Sequence, residues 1–200
     1  APLHRAWRLA GIRVATYQPA SGAGAAGMQP LLEGTRSALG GGVAPAHKFP
    51  RPLAFNVVPQ IGTFETDGES QEEAKMRHET RRILDLPDLP VSATCVRVPV
   101  LRGHSEAVWA TFAKTPQAGE AETLMEAAGI RVARGNAYPC PTEADGQHEV
   151  FVGRVRPDPA DANGLCLWVV ADNLLKGAAT NAYQIANLLV ESGRFQGSAR

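Results

Sequence analysis

Residues 70–112 read SQEEAKMRHETRRILDLPDLPVSATCVRVPVLRGHSEAVWATF, and this stretch decides the fold class. Ser70 followed three residues later by Glu73 is a capping box, and Met76, Thr80, Ile83 and Leu84 then fall on one helical face before Pro87 stops the element. Residues 91–98 are β-branched and extended, residues 101–103 make a turn, and residues 107–112 continue as a second strand. A hairpin is expected there.

Working outward, residues 1–11, APLHRAWRLAG, read as the end of a helix closed by Gly11. A chain that starts inside a helix is expected to be a fragment. Residues 12–17 form a short strand, and the small residues 21–27 lead into a helix reaching about Leu39. Residues 40–52 hold three consecutive glycines and three prolines, which predicts an irregular excursion. A short apolar segment follows at residues 55–58. Beyond the second strand, residues 117–128 suit a helix, and strands are expected near 150–155 and 165–170. Asp172 or Asn173 can cap a last helix whose apolar stripe includes Leu175, Ala179, Ala182, Ala186 and Leu189. Strands mixed with separate helices give an α+β fold with a mixed or largely antiparallel sheet.

Twenty basic residues balance twenty acidic ones among the 200, so no electrostatic footprint for nucleic acid or an anionic membrane is expected. No apolar run approaches the roughly 18 to 20 residues that cross a bilayer, and the expected location is the cytoplasm. Cys95, Cys140 and Cys166 are odd in number and far apart, and the five histidines are scattered, so neither a disulfide framework nor a metal site is expected.

Gly22 to Gly27 fits G-x-G-x-x-G after a strand and before a helix. Four residues separate Tyr17 from its first glycine, however, and the proline-rich tract occupies the place of the next strand, so we do not read it as a dinucleotide fingerprint. Arg97 and His104 lie seven residues apart across the expected turn, where a guanidinium and an imidazole could join an anion clamp to an acid/base. A surface arginine and a structural histidine remain the alternative. Glu72 and Lys75, three apart on a helix, read by spacing alone as a surface ion pair worth about 0.3 kcal/mol. Cys95 sits inside an apolar strand and reads as a small buried hydrophobe rather than a nucleophile.

The segments TYQPASGAGAAGM (16–28), AFNVVPQIGTFETDGESQEEAKMRHETRRIL (54–84), VSATCVRVPVLRGHSEAV (91–108), FVGRVRPDP (151–159) and VVADNLLKGAATNAYQIANLL (169–189) together resemble aspartate-semialdehyde dehydrogenase, in order and nearly end to end. The resemblance implies the catalytic domain of the glyceraldehyde-3-phosphate dehydrogenase class, a mixed sheet with helices on one face and the other face used for homodimerisation. Residues 1–171 would form this catalytic and dimerisation domain. Residues 172–200 would form a C-terminal helix packed on a nucleotide-binding domain not contained in the chain.

The activity so implied converts aspartyl-4-phosphate, NADPH and a proton to aspartate semialdehyde, NADP and phosphate through a thioacyl intermediate on a cysteine. That cysteine belongs just upstream of Ala1, and none of the three present matches it, so the chain by itself is expected to be inactive. The same resemblance makes Gln18 the residue that orients the intermediate and His104 the acid/base. Arg97 would clamp the substrate α-carboxylate, Glu72 would contact its α-amino group, and Lys75 would support phosphate and the intersubunit site. Ser21, Gly22 and Asn173 would lie at the NADP nicotinamide. The rivals are a non-catalytic dimerising module and a related acyl-phosphate reductase such as the N-acetyl-glutamyl-phosphate enzyme, against which the set Glu72, Lys75 and Arg97 argues.

Overall fold

Strand β1, Leu9–Gln18, occupies an interior position in the sheet and is hydrogen-bonded along both edges. The computed structural model describes residues 1–42 and 48–194. In it β2 (Val91–Arg97) runs parallel to β1, with Gln18 opposite Arg97, and β3 (His104–Phe112) runs antiparallel on its other edge. Strands β4 (Arg131–Ala133), β5 (Val150–Asp158) and β6 (Asp161–Ala171) complete a mixed sheet in the order β2-β1-β3-β6-β5-β4.

The expected hairpin between residues 91–98 and 107–112 is therefore not formed, because β1 lies between the two strands. The connection 98–103 crosses the end of β1 and is fastened there. Val98 N donates to Gln18 O at 3.0 Å, and Ala20 N and Ser21 N donate to Val100 O and Leu101 O. The extended residues were read correctly, but nothing in a single strand's sequence says which neighbour fills its edge.

The start of the chain also differs from the expectation. Helix α1, Pro2–Trp7, ends at Arg8, which adopts φ 57° and donates its N–H to His4 O. Gly11 is no helix cap: it lies within β1, where the pairing with β3 shifts register. Helix α2, Ala25–Leu39, follows a 3-10 turn at Ala20–Ala23. Helices α3 (Gln71–Leu84) and α4 (Ala118–Ala127) fall where their periodicity placed them. Helix α5 is a single turn, Pro141–Ala144. Part of the irregular excursion, residues 43–47, lies outside the described residues, as do 195–200. Among the described residues no helix is long and apolar enough to cross a membrane.

One face of the sheet carries the core. Ala110, Phe112, Val152 and Leu165 point to this side and pack against Trp7 of α1 and Ala121 and Met125 of α4, with Trp7 edge-on to Phe112 at 5.8 Å. Helix α3 covers β2 on the same side, where the Cys95 thiol meets Met76. The opposite face presents Tyr17 and Trp109, 38% and 37% exposed, with the Trp168 ring tilted against Tyr17 at 5.6 Å. This is an α+β domain of the glyceraldehyde-3-phosphate dehydrogenase type, with its helices gathered on one face of a mixed sheet.

The last helix begins irregularly. A π-helical turn, Leu175–Ala179, precedes α6, Thr180–Glu191. Of the two proposed caps, Asp172 does the work: its Oδ1 accepts from Leu174 N and Leu175 N. Tyr183, Ile185, Leu188 and Val190 of α6 are exposed.

Glu73 joins α3 to β2. Its Oε2 accepts from Ser70 N at 2.7 Å, closing the helix start, and its Oε1 accepts from Cys95 N at 2.8 Å on the sheet edge. Both amides are buried, so removing the carboxylate leaves two unsatisfied donors. Glu73→Ala should cost about 2 to 4 kcal/mol in urea unfolding, and Glu73→Gln, which keeps one acceptor oxygen, clearly less. A loss below about 0.5 kcal/mol for Glu73→Ala would show that this link is unimportant.

Candidate active site

The parallel register brings Gln18 and Arg97 to the same end of the sheet, and the crossing segment returns the chain so that His104 starts β3 beside them. His104 pairs in turn with Ala171 at the end of β6, which carries Asp172 and Asn173 to the same rim. The first turn of α3 adds Glu72 and Lys75, and the 3-10 turn adds Ser21 and Gly22. These walls enclose a cavity of about 560 Å³, and all eight residues singled out in the sequence line it. Arg97 and His104 do share a neighbourhood, through the crossover and not through a hairpin.

Gln18, 4% exposed, donates from Nε2 to Glu72 Oε1 at 3.1 Å. Its own Oε1 is buried without a protein partner among the described residues. Glu72 also accepts from Lys75 Nζ at both oxygens, at 3.1 and 3.0 Å. Burial works against the Glu72 carboxylate, but the hydrogen bonds from Lys75 and Gln18 outweigh it and hold its pKa below the usual value. The spacing-based ion pair thus exists, and it forms part of the cavity wall.

Arg97 is 7% exposed, donates from Nη1 to Pro19 O at 2.7 Å, and lies 5.9 Å over the Phe49 ring. Burial lowers its pKa while Glu72 opposes the shift. A Cβ at Gly22 would sit 2.5 Å from Arg97 Nη1, so a side chain there would displace the guanidinium. In the glycine-rich turn the amides of Ala20, Ser21, Gly22 and Gly24 already donate to the Val100, Leu101, Pro19 and Ser21 carbonyls.

Asn173 Oδ1 accepts from Ser21 Oγ at 3.1 Å and from Gly103 N at 3.0 Å, tying the 3-10 turn to the residue before His104. Its neighbour Asp172 is fully buried and takes Arg102 Nη2 at 2.8 Å and Gly146 N at 2.9 Å on Oδ2. Burial disfavours its charge, yet the amides of Gly146, Leu174 and Leu175 and the Arg102 guanidinium leave its pKa below the usual value. This acid fastens three segments around the rim.

His104 is held neutral. Burial pushes its pKa down to about 4, Arg97 and Lys75 push the same way, and Glu72 partly offsets them. Two further residues line the cavity that sequence reasoning passed over. Glu106 stands two residues from His104 on the same face of β3, a placement that strand alternation could have shown, and burial raises its pKa. Lys176 lies one turn beyond Asn173, a signal that helical spacing could have shown.

No cysteine lines the cavity among the described residues. Cys95 and Cys166 are buried, and burial raises the Cys95 thiol to about 11, so neither is an activated nucleophile.

Fold and cavity together define a dehydrogenase-type α+β domain with a charge-lined cavity at one rim of its sheet. The family described as semialdehyde dehydrogenase, dimerisation domain, matches residues 1–176, and the chain belongs to that family. The chain is 49% identical over 185 residues to the aspartate-semialdehyde dehydrogenase of Aquifex aeolicus, covering 90% of this chain and 54% of that protein. It is 45% identical over 196 residues to the Synechocystis enzyme of the same name, covering 96% and 58%. The crystal structure of aspartate-semialdehyde dehydrogenase II from Vibrio cholerae superposes with a TM-score of 0.93 at 44% identity, over 95% of this chain and 57% of that one. The chain therefore spans a little more than half the length of these relatives.

The charges around His104 make its titration testable. Histidine NMR of the chain should give His104 a pKa of about 4, raised in Arg97→Met and lowered further in Glu72→Gln. An unchanged value in Arg97→Met would contradict the electrostatic account of this site.

Proposed function

We propose that the chain is the catalytic and dimerisation part of an aspartate-semialdehyde dehydrogenase, residues 1–171 forming that domain and 172–200 the C-terminal segment that packs on a nucleotide-binding domain. The reaction is aspartyl-4-phosphate with NADPH and a proton to aspartate semialdehyde, NADP and phosphate. One observation carries this reading: a single cavity gathers a guanidinium, a carboxylate, an ammonium and a neutral imidazole, Arg97, Glu72, Lys75 and His104. The substrate carries a carboxylate, an ammonium and a phosphate, which the first three groups complement, and the imidazole is left for proton transfer.

Arg97 clamps the α-carboxylate, Glu72 takes the α-ammonium, and Lys75 faces phosphate. Gln18 presents its spare acceptor to the reacting carbon's substituents while its donor side is fixed on Glu72. His104, neutral at pH 7, accepts a proton from the thiol or hydroxyl that reacts and returns it in the reverse direction. An arriving carboxylate and phosphate offset the charges of Arg97 and Lys75, the two cations that depress His104. Filling the site therefore makes the imidazole a stronger base. The thiolate comes from a cysteine outside these 200 residues, so the chain alone is inactive.

The wall of Ser21, Gly22 and Asn173 suits the nicotinamide end of NADP. Gly22 leaves it without a side chain. The cofactor, when bound, supplies the two reducing electrons. The exposed aromatic face around Tyr17 and Trp109 fits a homodimer interface, and the cytoplasm is the place of such a biosynthetic enzyme. The Vibrio cholerae enzyme solved in complex with ASA, TM-score 0.93, supports a small-molecule substrate for this fold.

The roles of Arg97 and His104 separate in the kinetics of the whole enzyme. Arg97→Lys keeps the charge but loses the two-pronged hydrogen bond, so KM for aspartate semialdehyde should rise by about 1 to 3 kcal/mol of lost binding. His104→Asn should lower kcat roughly 10²- to 10⁴-fold with a smaller change in KM. A kcat within a few-fold of the parent would sink the acid/base role.

A further inference from the structure

Three cations line the cavity, and their partners differ. Lys75 is held by both oxygens of Glu72, which neutralises it in place. Arg97 is buried and tied to Pro19 O. Lys176 is in no ion pair among the described residues: its Nζ donates at 2.7 Å to Gln184 Oε1, a neutral amide of α6, which tethers the side chain without cancelling its charge.

The residue one turn earlier is oriented to match. Gly103 N can only donate, so its hydrogen bond to Asn173 fixes which end of that amide is the oxygen. Ser21 takes the same oxygen, and the Asn173 Nδ2 is left with no protein partner among the described residues. The acid that could compete, Asp172, is buried, with its two oxygens engaged by Arg102, Gly146, Leu174 and Leu175. Gly177 adds no side chain, and a Cβ there would find only Asn173 Cβ, at 3.8 Å. This turn therefore offers the cavity an N–H₂ and an NH₃⁺ while its acceptors are used internally.

We propose that Asn173 Nδ2 and Lys176 Nζ form a phosphoryl-oxygen subsite on the 173–177 turn, separate from Lys75. A ligand group made only of acceptors and carrying negative charge fits a wall made only of donors. The proposal rests on the catalytic reading above and extends it to a second phosphoryl contact. Two sources share this chemistry: the phosphate that leaves the acyl group and the diphosphate of a dinucleotide.

The test uses the 200-residue chain at fixed ionic strength, titrated separately with inorganic phosphate and inorganic diphosphate and followed by amide NMR, including the Asn173 side chain. Lys176→Gln should weaken binding about tenfold or more, and Lys176→Arg should restore it to within about threefold. The probe that binds more tightly through Lys176 identifies the source. Unchanged binding in Lys176→Gln, or binding of neither probe, overturns the subsite. L-aspartate, which carries the α-carboxylate and α-ammonium, serves as the control for the catalytic reading. Its binding through Arg97 without any phosphate response sinks only the subsite, and a phosphate response through Lys176 without aspartate binding sinks only that reading.

Discussion

Strand β1 is paired on both edges, and the link between β2 and β3 must cross its end. The hydrogen bonds of that crossing, Val98 N to Gln18 O, Ala20 N to Val100 O and Ser21 N to Leu101 O, set the positions of everything in the cavity. Gln18 and Arg97 are register partners on adjacent parallel strands, and His104 begins where the crossing ends. A one-residue slip would turn all three side chains to the opposite face, so the site is coupled to the core face of the sheet and cannot drift independently of it.

The rim depends on two neighbours with divided tasks. Asp172 is a buried carboxylate whose desolvation is offset by a guanidinium and three amides, and it joins the 102–103 turn, the 145–146 loop and the head of the last helix. Asn173 then links the Ser21 turn to Gly103. Inside the rim, Glu72 acts as the acceptor for both Gln18 and Lys75, while His104 stays neutral because burial and the two nearest cations act together. Neutralising either of those cations would let the imidazole pKa rise.

Much of this was legible in the sequence, for identifiable reasons. The Ser70 and Glu73 spacing located α3 because capping is a local interaction, although the second partner of Glu73, Cys95 N, is 22 residues away and left no local trace. Helix α4 and the strands β5 and β6 follow from periodicity, though not the pairing of those two strands. The pairing of β2 was misread because strand propensity does not specify an edge partner, and Gly11 was misread because a glycine marks a bulge as readily as a helix end. The eight site residues were named through family resemblance, since their spacing alone favoured surface and structural roles. Glu106 and Lys176 carried local signals, strand alternation from His104 and helical spacing from Asn173, but neither says that the residue faces a cavity.

The central claim is that this cavity is built in advance on the domain's own sheet. Native-state hydrogen exchange on the 200-residue chain tests it most directly, by comparing the amides of Arg97, Val98 and Gly103 with those of Ala110 and Leu165 in the core. The account predicts that Arg97, Val98 and Gly103, bonded to Val58 O, Gln18 O and Asn173 Oδ1, are protected to within about tenfold of the core amides. Exchange at these three positions about a thousandfold faster than at the core would mean that the site opens locally and is assembled only by a partner, which would contradict the account.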